Sequence, residues 1–441
     1  MIGWDTISSV AAEVEDRLRR LVDEYVVIVS GSSREMLKLA NGEASVTQSW
    51  TTLEVGVYAA KRDGRLLYTG LSTSSPAEAA EQVARLVERL EPSPLYAPLP
   101  EPSCRDYSLV DPAVLSHLEG EERLDLAHDL EVDQLGNAAG MASLSAERIL
   151  LVSSAGARLR GERTGFDGYL RVFKGDRSGQ WSWASTRYDS GRPARRAAQV
   201  AVELADECSG LPRERVEPGR YRLLLGPMVA GNLVGELVSM ANGAMILFGM
   251  SFLRPEMRGE KLFSDHLSIA DDPLDESLPG YSLFDDEGVA TRRKHIVRAG
   301  VLENILHNTK TARAMGAETT GNAGLLMPRP FNIIVEPGSI GSGELLDALE
   351  NGIYATNNWY TRFQNYAEGT FSTVTRDATF LVRGGKPRAC LGRIRIADRL
   401  GEVFARVEGL SREAWSLKWW EIPVPTRVPH ILVGEAGVST A

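Results

Sequence analysis

The chain is poor in the residues that most often announce chemistry. Of its 441 residues, three are cysteine (Cys104, Cys208, Cys390) and six are histidine. The cysteines lie far apart and are odd in number. They read as neither a CxxC metal knuckle nor a disulfide framework, and their scarcity fits a reducing compartment. The histidines, His117, His128, His266, His295, His307 and His430, never fall three, four or five residues apart, so no helical face offers paired imidazoles to zinc. Positive charge is not in excess either: the formal net charge is −10, whereas nucleic-acid binding needs clustered Lys and Arg. The one basic run, Arg292-Arg293-Lys294, follows Asp285-Asp286-Glu287 and reads as a solvated face. The longest apolar stretch, Ala241 to Phe252, falls short of the roughly 20 residues that cross a bilayer. Asp5, Glu13, Glu15 and Asp16 predict that the first residues are no signal peptide. A Gly-x-Ser-x-Gly nucleophile elbow is missing too. These absences predict a soluble, cytoplasmic protein with no nucleic-acid or membrane partner.

What is present builds an ordinary core. Hydrophobic residues make up 43% and charged residues 24%, and a prior of about 150 residues per domain predicts two or three domains. Ile7, Val10, Val14, Leu18 and Leu21 recur at helical spacing, with Asp5 or Thr6 as the expected cap. Tyr25 to Ser30 is a strand. Asn41-Gly42 predicts a hairpin between Met36–Ala40 and a run ending at Trp50. Leu53, Val55 and Val57 alternate as a half-buried strand does, and Asp63-Gly64 marks a further turn. Ser75-Pro76-Ala77-Glu78 has the pattern of a capping box opening a helix through Val83, Leu86, Val87 and Leu90. Pro92, Pro94, Pro98, Pro100 and Pro102 exclude regular structure and predict an extended strap that packs through Leu95, Tyr96 and Leu99. Helices are expected over Glu121 to Leu135 and Pro193 to Asp206, and strands over Glu147 to Val152 and Tyr169 to Phe173. The segment Cys208 to Pro218 reads as a boundary. After it the pattern restarts with a strand (Tyr221 to Leu225), the turn Gly226-Pro227 and a helix (Met228 to Ala241). Short strands follow at Asn332 to Val335, Thr379 to Val382 and His430 to Val433. The fold class is α+β, in two domains: residues 1–210 mixed α and β, and residues 215–441 rich in strand.

Few segments point to chemistry. Gly338 to Gly343 precedes a helix (Glu344 to Glu350) and could cradle an anion on its N–H groups. The strand and the lysine of a phosphate loop are not both evident in the right places, so a turn ending in a helix cap is the simpler reading. Asp285-Asp286-Glu287-Gly288 could converge two carboxylates on a hard cation, or could be a turn whose carboxylates accept backbone N–H bonds. Trp415, Trp419 and Trp420, with Trp359 and Tyr360, suit a core or an interface. The residues alone name no reaction.

One stretch is more specific. Phe284-Asp285-Asp286-Glu287-Gly288-Val289-Ala290-Thr291, Gly300-Val301-Leu302, Thr311-Ala312 and Thr319-Thr320-Gly321-Asn322-Ala323 together resemble the central signature of the TldD/PmbA family. Asn41-Gly42-Glu43 and Glu350-Asn351-Gly352-Ile353-Tyr354 add matches, and the resemblance runs from about residue 25 to 435. It implies a two-domain TldD/PmbA-like fold with mixed or antiparallel sheets packed with helices. The family-motif residues would be Asp285, Asp286, Glu287, Gly288, Thr320, Gly321 and Asn322. In this family, TldD subunits hold zinc with a His-Glu-x-x-x-His helix and a late cysteine, and TldE/PmbA subunits lack these. The corresponding helix here reads Gly235-Glu236-Leu237-Val238-Ser239-Met240. Gly235 and Met240 stand at the two zinc-histidine positions, and Leu410 to Val428 contains no cysteine. Glu236 remains at the general-base position, where without a metal it has no activated water to serve. The resemblance thus implies no metal or cofactor in this chain and zinc in a TldD-like partner subunit. The chain would be a pseudoenzyme subunit, not active alone, of a complex that processes unfolded peptides, with extended peptide lying in a cleft it helps to shape. An independent homodimeric peptide-binding protein is the alternative. A third reading, an enzyme built on Asp285 to Glu287 and Asn322, competes with a purely structural role for the same residues.

Overall fold

The computed structural model describes residues 1–73 and 75–440. Helix α1 (Trp4–Leu21) buries Ile7, Val10, Val14 and Leu18, and Leu21 stays exposed. Its N-cap is Gly3 rather than Asp5 or Thr6. The helix begins at Trp4, so both expected caps lie inside its first turn, where Asp5 faces the positive end of the helix dipole instead. Strands β1 (Glu24–Ala40) and β2 (Glu43–Ala60) form one long hairpin, turned by Asn41 and Gly42 with φ of 54° and 76°. Those two positive φ values are what a tight hairpin turn requires. Strand β3 (Arg65–Ser72) and helix α2 (Pro76–Val87) follow. Ser75 caps α2 by position but makes no side-chain bond, so the expected capping box does not form. Thr73 holds the turn in its place, its hydroxyl bonded to the Ser75 carbonyl and amide, and Glu78 accepts from Gln82.

Val27, Val29, Val55, Val57, Leu150 and Val152 form the sheet face that packs on α1 and α2. The proline-rich strap carries β4 (Glu91–Pro92) and leads to β5 (Tyr107–Leu109), with Tyr96 and Leu99 packed against the opposite face of the sheet. The predicted helix over 121–135 is not there. Helix α3 (Pro112–Glu119) stops at Gly120, and a single turn, α4 (Leu126–Asp129), starts on its own cap, Asp125. Glu131, at φ 52°, then breaks any continuation. Strands β6 (Ala138–Ser153), β7 (Arg158–Lys174) and β8 (Arg177–Ser185) complete the first sheet, in the order β4-β3-β2-β1-β6-β7-β5 with β8 beside β7. Helix α5 (Arg192–Ser209) covers its far end through Ala194, Ala197, Ala198 and Ala201.

The second sheet begins with β9 (Arg213–Glu214) and β10 (Gly219–Leu225). Helix α6 (Pro227–Met240) and the short α7 (Gly243–Leu247) come next. A mostly irregular stretch holds β11 (Ile269–Asp271), β12 (Lys294–Arg298), β13 (Val301–Leu302), α8 (Thr309–Ala314) and β14 (Ile333–Val335). Helix α9 (Ser342–Leu349), β15 (Asn351–Asn365), β16 (Thr370–Arg383), β17 (Lys386–Leu391) and β18 (Ile394–Arg399) lead to α10 (Leu400–Ala405), β19 (Val407–Trp419) and β20 (Ile422–Thr440). The sheet is mixed: β20 pairs antiparallel with β10, β18 and β19 and parallel with β14. The fold is α+β, with both sheets packed against helices. In the glycine-rich segment before α9, Gly338 N–H donates to Ser411 O, Gly341 N–H to Glu344 and Ser342 N–H to Glu413 of β19, so these three donors are already used.

One apolar cluster runs through residues 208–218, joining Leu144, Phe166, Trp181 and α5 to α6, β10 and β20. The cysteines correct the sequence reading. Cys208, in the last turn of α5, and Cys390, in β17, form a disulfide across 182 residues. Sequence distance hid this. Strand β9 directly after α5 pairs in parallel with β17, setting Arg213 opposite Cys390. Cys104 is the free thiol; burial raises its pKa to about 11, and it donates to the Gly288 carbonyl. Trp419 is buried against Tyr169, Trp415 meets Trp181 edge-on, and Trp420 is exposed. Among the described residues no helix is long and apolar enough to cross a membrane.

Close approach of β8 to α5 needs a bare backbone at Gly179, where a Cβ would strike the Ala201 carbonyl and lie 2.7 Å from Ala205 N. Gly179→Ala is expected to lower stability by about 1–3 kcal/mol in urea unfolding, as overpacking does. Gly70→Ala, at a site with open space around it, is the control and should stay within about 0.5 kcal/mol of the parent. Equal effects at the two sites would contradict the packing described.

Candidate functional site

The stretch from β11 to β14 has little regular structure, so its backbone N–H groups must find other acceptors. Four carboxylates supply them. Asp271, fully buried, accepts from Phe331 N and Asn332 N on one oxygen and from Lys294 Nζ (3.0 Å) and Asn322 Nδ2 (2.7 Å) on the other. Asp285, also fully buried, accepts from the amides of Glu287, Val289 and Ala323. Asp286 accepts from Leu325 N and Arg329. Glu287 accepts from the amide and hydroxyl of Thr309 and from Lys310 Nζ at 2.6 Å. Lys310 in turn lies over the Tyr58 ring, 4.4 Å from its centroid, and so ties this layer to β2 of the first sheet.

The remaining motif residues complete the same scaffold. The Thr320 hydroxyl accepts from the His307 amide and donates to Asn322 Oδ1, while Asn322 also donates to the Arg329 carbonyl. Gly321 turns at φ 68° with its Cα facing the Ala290 carbonyl, a place with no room for a side chain. Gly288 closes the Asp285 turn through a bond to the Asp285 carbonyl. Burial, and then the Glu287 carboxylate, push the Asp285 carboxyl upward, against the pull of its three amide donors.

Two cavities flank this layer. The first, about 480 Å³, lies between this layer and the face of the first sheet turned away from α1 and α2. Its floor is made of residues in register, most of them small: Ser30, Glu54 and Ser72 in one row, Ile28, Gly56 and Gly70 in the next. Its walls carry two ion pairs, Glu147–Arg163 (2.6 Å) and Asp286–Arg329 (2.8 Å). Burial opposes the Glu147 charge, but Arg163 outweighs it and holds the Glu147 carboxyl below its ordinary range. Glu54, at the edge, is exposed.

The second cavity, about 270 Å³, opens along α6. Asn232, Gly235, Glu236 and Ser239 face it from the helix, and Glu421, Ile422 and Pro423 face it from the turn between β19 and β20. Gly235 leaves that part of the helix bare, with nothing within 4 Å of where a Cβ would sit. Met240 is buried in the core and does not line the cavity. Burial, and then repulsion from Glu421, raise the Glu236 carboxyl, offset in part by Arg362. The donors here are two carboxylates with no imidazole or thiolate, and this set does not fit a zinc ion. Among the described residues, no three His, Cys, Asp or Glu side chains converge as metal ligands. The segment Arg329–Ile333 separates the cavities, giving Arg329 to the first and Pro330 and Ile333 to the second.

The structure therefore gathers Asp285, Asp286, Glu287, Gly288, Thr320, Gly321 and Asn322 into one layer and places Gly235 and Glu236 apart from them on α6. Sequence reading missed Asp271, Lys310, Glu147, Arg163 and Arg329, and it set Lys294 on a solvated face, whereas Lys294 is buried where β12 pairs with β11 and binds Asp271. The available signal was faint: single charges beside apolar residues, as in Ile269-Ala270-Asp271 and Lys294-His295-Ile296-Val297.

Comparison with known proteins agrees with this architecture. Residues 218–440 match the model of the PmbA/TldA metallopeptidase C-terminal domain, and residues 25–91 match that of PmbA/TldA metallopeptidase domain 1. A metalloprotease of Methanocaldococcus jannaschii is 25% identical over 281 residues, 60% of each chain. A metalloprotease of Methanothermobacter thermautotrophicus is 32% identical over 265 residues, 57% of this chain and 56% of the relative. The alignments thus span a little over half the length of these relatives. The crystal structure of TldE from Thermococcus kodakarensis superposes with a TM-score of 0.80 at 19% identity, covering 97% of this chain and 100% of that one, a likeness of fold.

The Lys310–Glu287 pair, with both side chains at most 3% exposed, should dominate the stability of the layer. Lys310→Met strands the Glu287 charge beside Asp285 and is expected to cost about 3–5 kcal/mol. Adding Glu287→Gln should recover a large part of that loss. A single variant within about 1 kcal/mol of the parent in urea unfolding would sink this account.

His307, 5% exposed in the same layer, has its pKa lowered to about 4 from 6.5, first by burial and then by Arg258. Its folded pKa lies below the unfolded one, so the unfolded chain binds the extra proton. Stability should be complete above pH 6.5 and fall as pH drops toward 4. The loss from this group is on the order of 2–3 kcal/mol. His307→Gln should reduce the slope of the unfolding free energy between pH 6.5 and 4, leaving the part due to His430, whose pKa burial also lowers to about 4, and an unchanged slope would refute the assignment.

Proposed function

The chain belongs to the PmbA/TldD metallopeptidase family, and from that premise we propose that it is a non-catalytic, TldE/PmbA-like subunit of a cytoplasmic peptide-processing complex. The observation that carries the proposal is the cavity along α6. The helix that would present zinc ligands offers Gly235 and Glu236, opposed by Glu421. A zinc-bound water is the usual source of hydroxide at neutral pH in such peptidases. A carboxylate pair lacking imidazole supplies no equivalent, and the hydrolytic step belongs to a zinc-bearing, TldD-like partner.

Two further features support a role in holding peptide. The outer edge of β2 pairs with β3 only from Glu54 to Ala60, and beyond the Thr73 N–H bond to Leu53 O it has no strand partner among the described residues. An extended peptide can pair with such an edge through backbone bonds that ignore sequence. The first cavity adjoins the point where β3 ends and carries charge of both signs. Trp420 and Tyr360, 65% and 55% exposed, flank Glu421 at the α6 cavity and offer aromatic surface to a partner.

The test has two parts. Metal analysis by mass spectrometry should find the purified chain without stoichiometric zinc and a copurifying TldD-like subunit with it. Adding the chain to that subunit should raise its peptide affinity or turnover. Stoichiometric zinc in the chain alone, or a partner whose affinity and turnover are unchanged by the chain, would overturn the proposal.

A further inference from the structure

The connector between the two sheets holds a cavity that the peptide reading does not use. It measures about 200 Å³, and Cys208 and Cys390 both line it. Each cysteine is only 1% exposed, so this cavity is the approach to their disulfide.

The cavity is also rich in positive charge. Arg171, Arg177, Arg213 and Arg393 line it, against Asp176 and Asp377. The two carboxylates are already shared. Asp377 accepts from Arg171, Ser178 and Asn357, with Arg376 at 3.7 Å, and Asp176 accepts from Arg213 at 2.6 Å and lies 3.4 Å from Arg177. Arg393 pairs with no carboxylate among the described residues; its guanidinium lies over the Trp359 ring at 5.3 Å and is exposed. A disulfide and an arginine excess at one cavity suit one kind of ligand, a small molecule carrying both a thiol and carboxylates. The arginines would act twice. They attract the carboxylates of the incoming thiolate, and they stabilise the cysteine thiolate that leaves.

We propose that Cys208–Cys390 is a thiol-exchange site for a small carboxylate-bearing thiol, opened through the arginine-lined cavity. The incoming thiol first loses its proton to solvent. Its thiolate attacks one cysteine sulfur, the Cys208–Cys390 S–S bond breaks, a mixed disulfide forms, and the electron pair leaves on the other cysteine as a thiolate. A second thiolate attacks the mixed disulfide and releases the second cysteine. Two thiols are oxidised to one small-molecule disulfide, the protein disulfide is reduced to two thiols, and the cysteine thiolates take up protons. Because the bridge joins α5 to β17, opening it removes the covalent tie beside the connector and leaves the β9–β17 pairing to hold it.

The test uses the full chain, oxidised, with reduced glutathione as the probe and 2-mercaptoethanol as an uncharged comparison at equal thiolate concentration. Opening is followed by alkylation and intact mass, with Cys390→Ser assigning the adducts. At low salt, glutathione should open the bridge about fivefold to tenfold faster than the uncharged thiol, and the advantage should shrink at high salt. Arg393→Gln should slow glutathione more than it slows 2-mercaptoethanol, because both thiols lose the stabilised leaving thiolate and only glutathione loses the carboxylate attraction. Should that variant fail to fold, the salt series on the parent chain decides. Equal rates for the two thiols at low salt, a salt-independent ratio, or two alkylatable thiols besides Cys104 remaining after the reduced chain is treated with oxidised glutathione would each overturn the proposal. None of these readouts depends on zinc, peptide or a partner subunit.

Discussion

The segment from β11 to β14 is held by carboxylates that terminate backbone N–H groups away from water. Asp271, Asp285 and Glu287 are each buried, and each has its oxygens filled by amides, a lysine or an asparagine side chain. A buried carboxylate without such partners is costly, and a loop amide without an acceptor is costly as well. Each fault corrects the other here, which lets a layer with so little helix or strand pack between the two sheets. The cavities on either side inherit their walls from it, Arg329 facing one and Pro330 the other.

The same layer sets how the two halves meet. Lys310 sets its ammonium against both the Glu287 carboxylate and the Tyr58 ring of the first sheet. Farther along, Lys418 of β19 reaches Asp167 of β7, Tyr169 touches Trp419, and the disulfide closes the far side. With one apolar cluster taking in Tyr169, Trp419 and both disulfide cysteines, the halves are fixed against one another by packing as well as by covalent connection. The α6 cavity is bounded by elements of the second sheet alone, while the first cavity needs both halves to exist.

Elements with a strong period were legible in the sequence. Helices α1, α5 and α6, the β1–β2 hairpin and the strap through Tyr96 and Leu99 all stand close to where apolar spacing and turn residues put them. Local signals failed where a neighbour competed. Thr73 displaced the Ser75 cap, and Asp125 with Glu131 divided what read as one helix. Pairing across the fold was not legible at all. Cys208 and Cys390 meet because β9 lies beside β17, and Lys294 meets Asp271 because β11 lies beside β12. A buried charge and a surface charge are the same letter in one dimension. The candidate site was therefore visible as a motif, Asp285 to Asn322, without the lysines and arginine that give its carboxylates their environment.

Strand β20 pairs with β10, β14, β18 and β19, and it follows all of them in the chain. A ribosome therefore releases this central strand only after each of its neighbours has emerged. Until then β10 has β15 on one side and nothing on the other, and β14 is joined only to β11. The nascent second sheet must wait with an open gap at its centre, where unpaired backbone invites other chains. Synthesis of this protein thus includes an interval in which a chaperone or a rapid translation rate would decide between closure and aggregation.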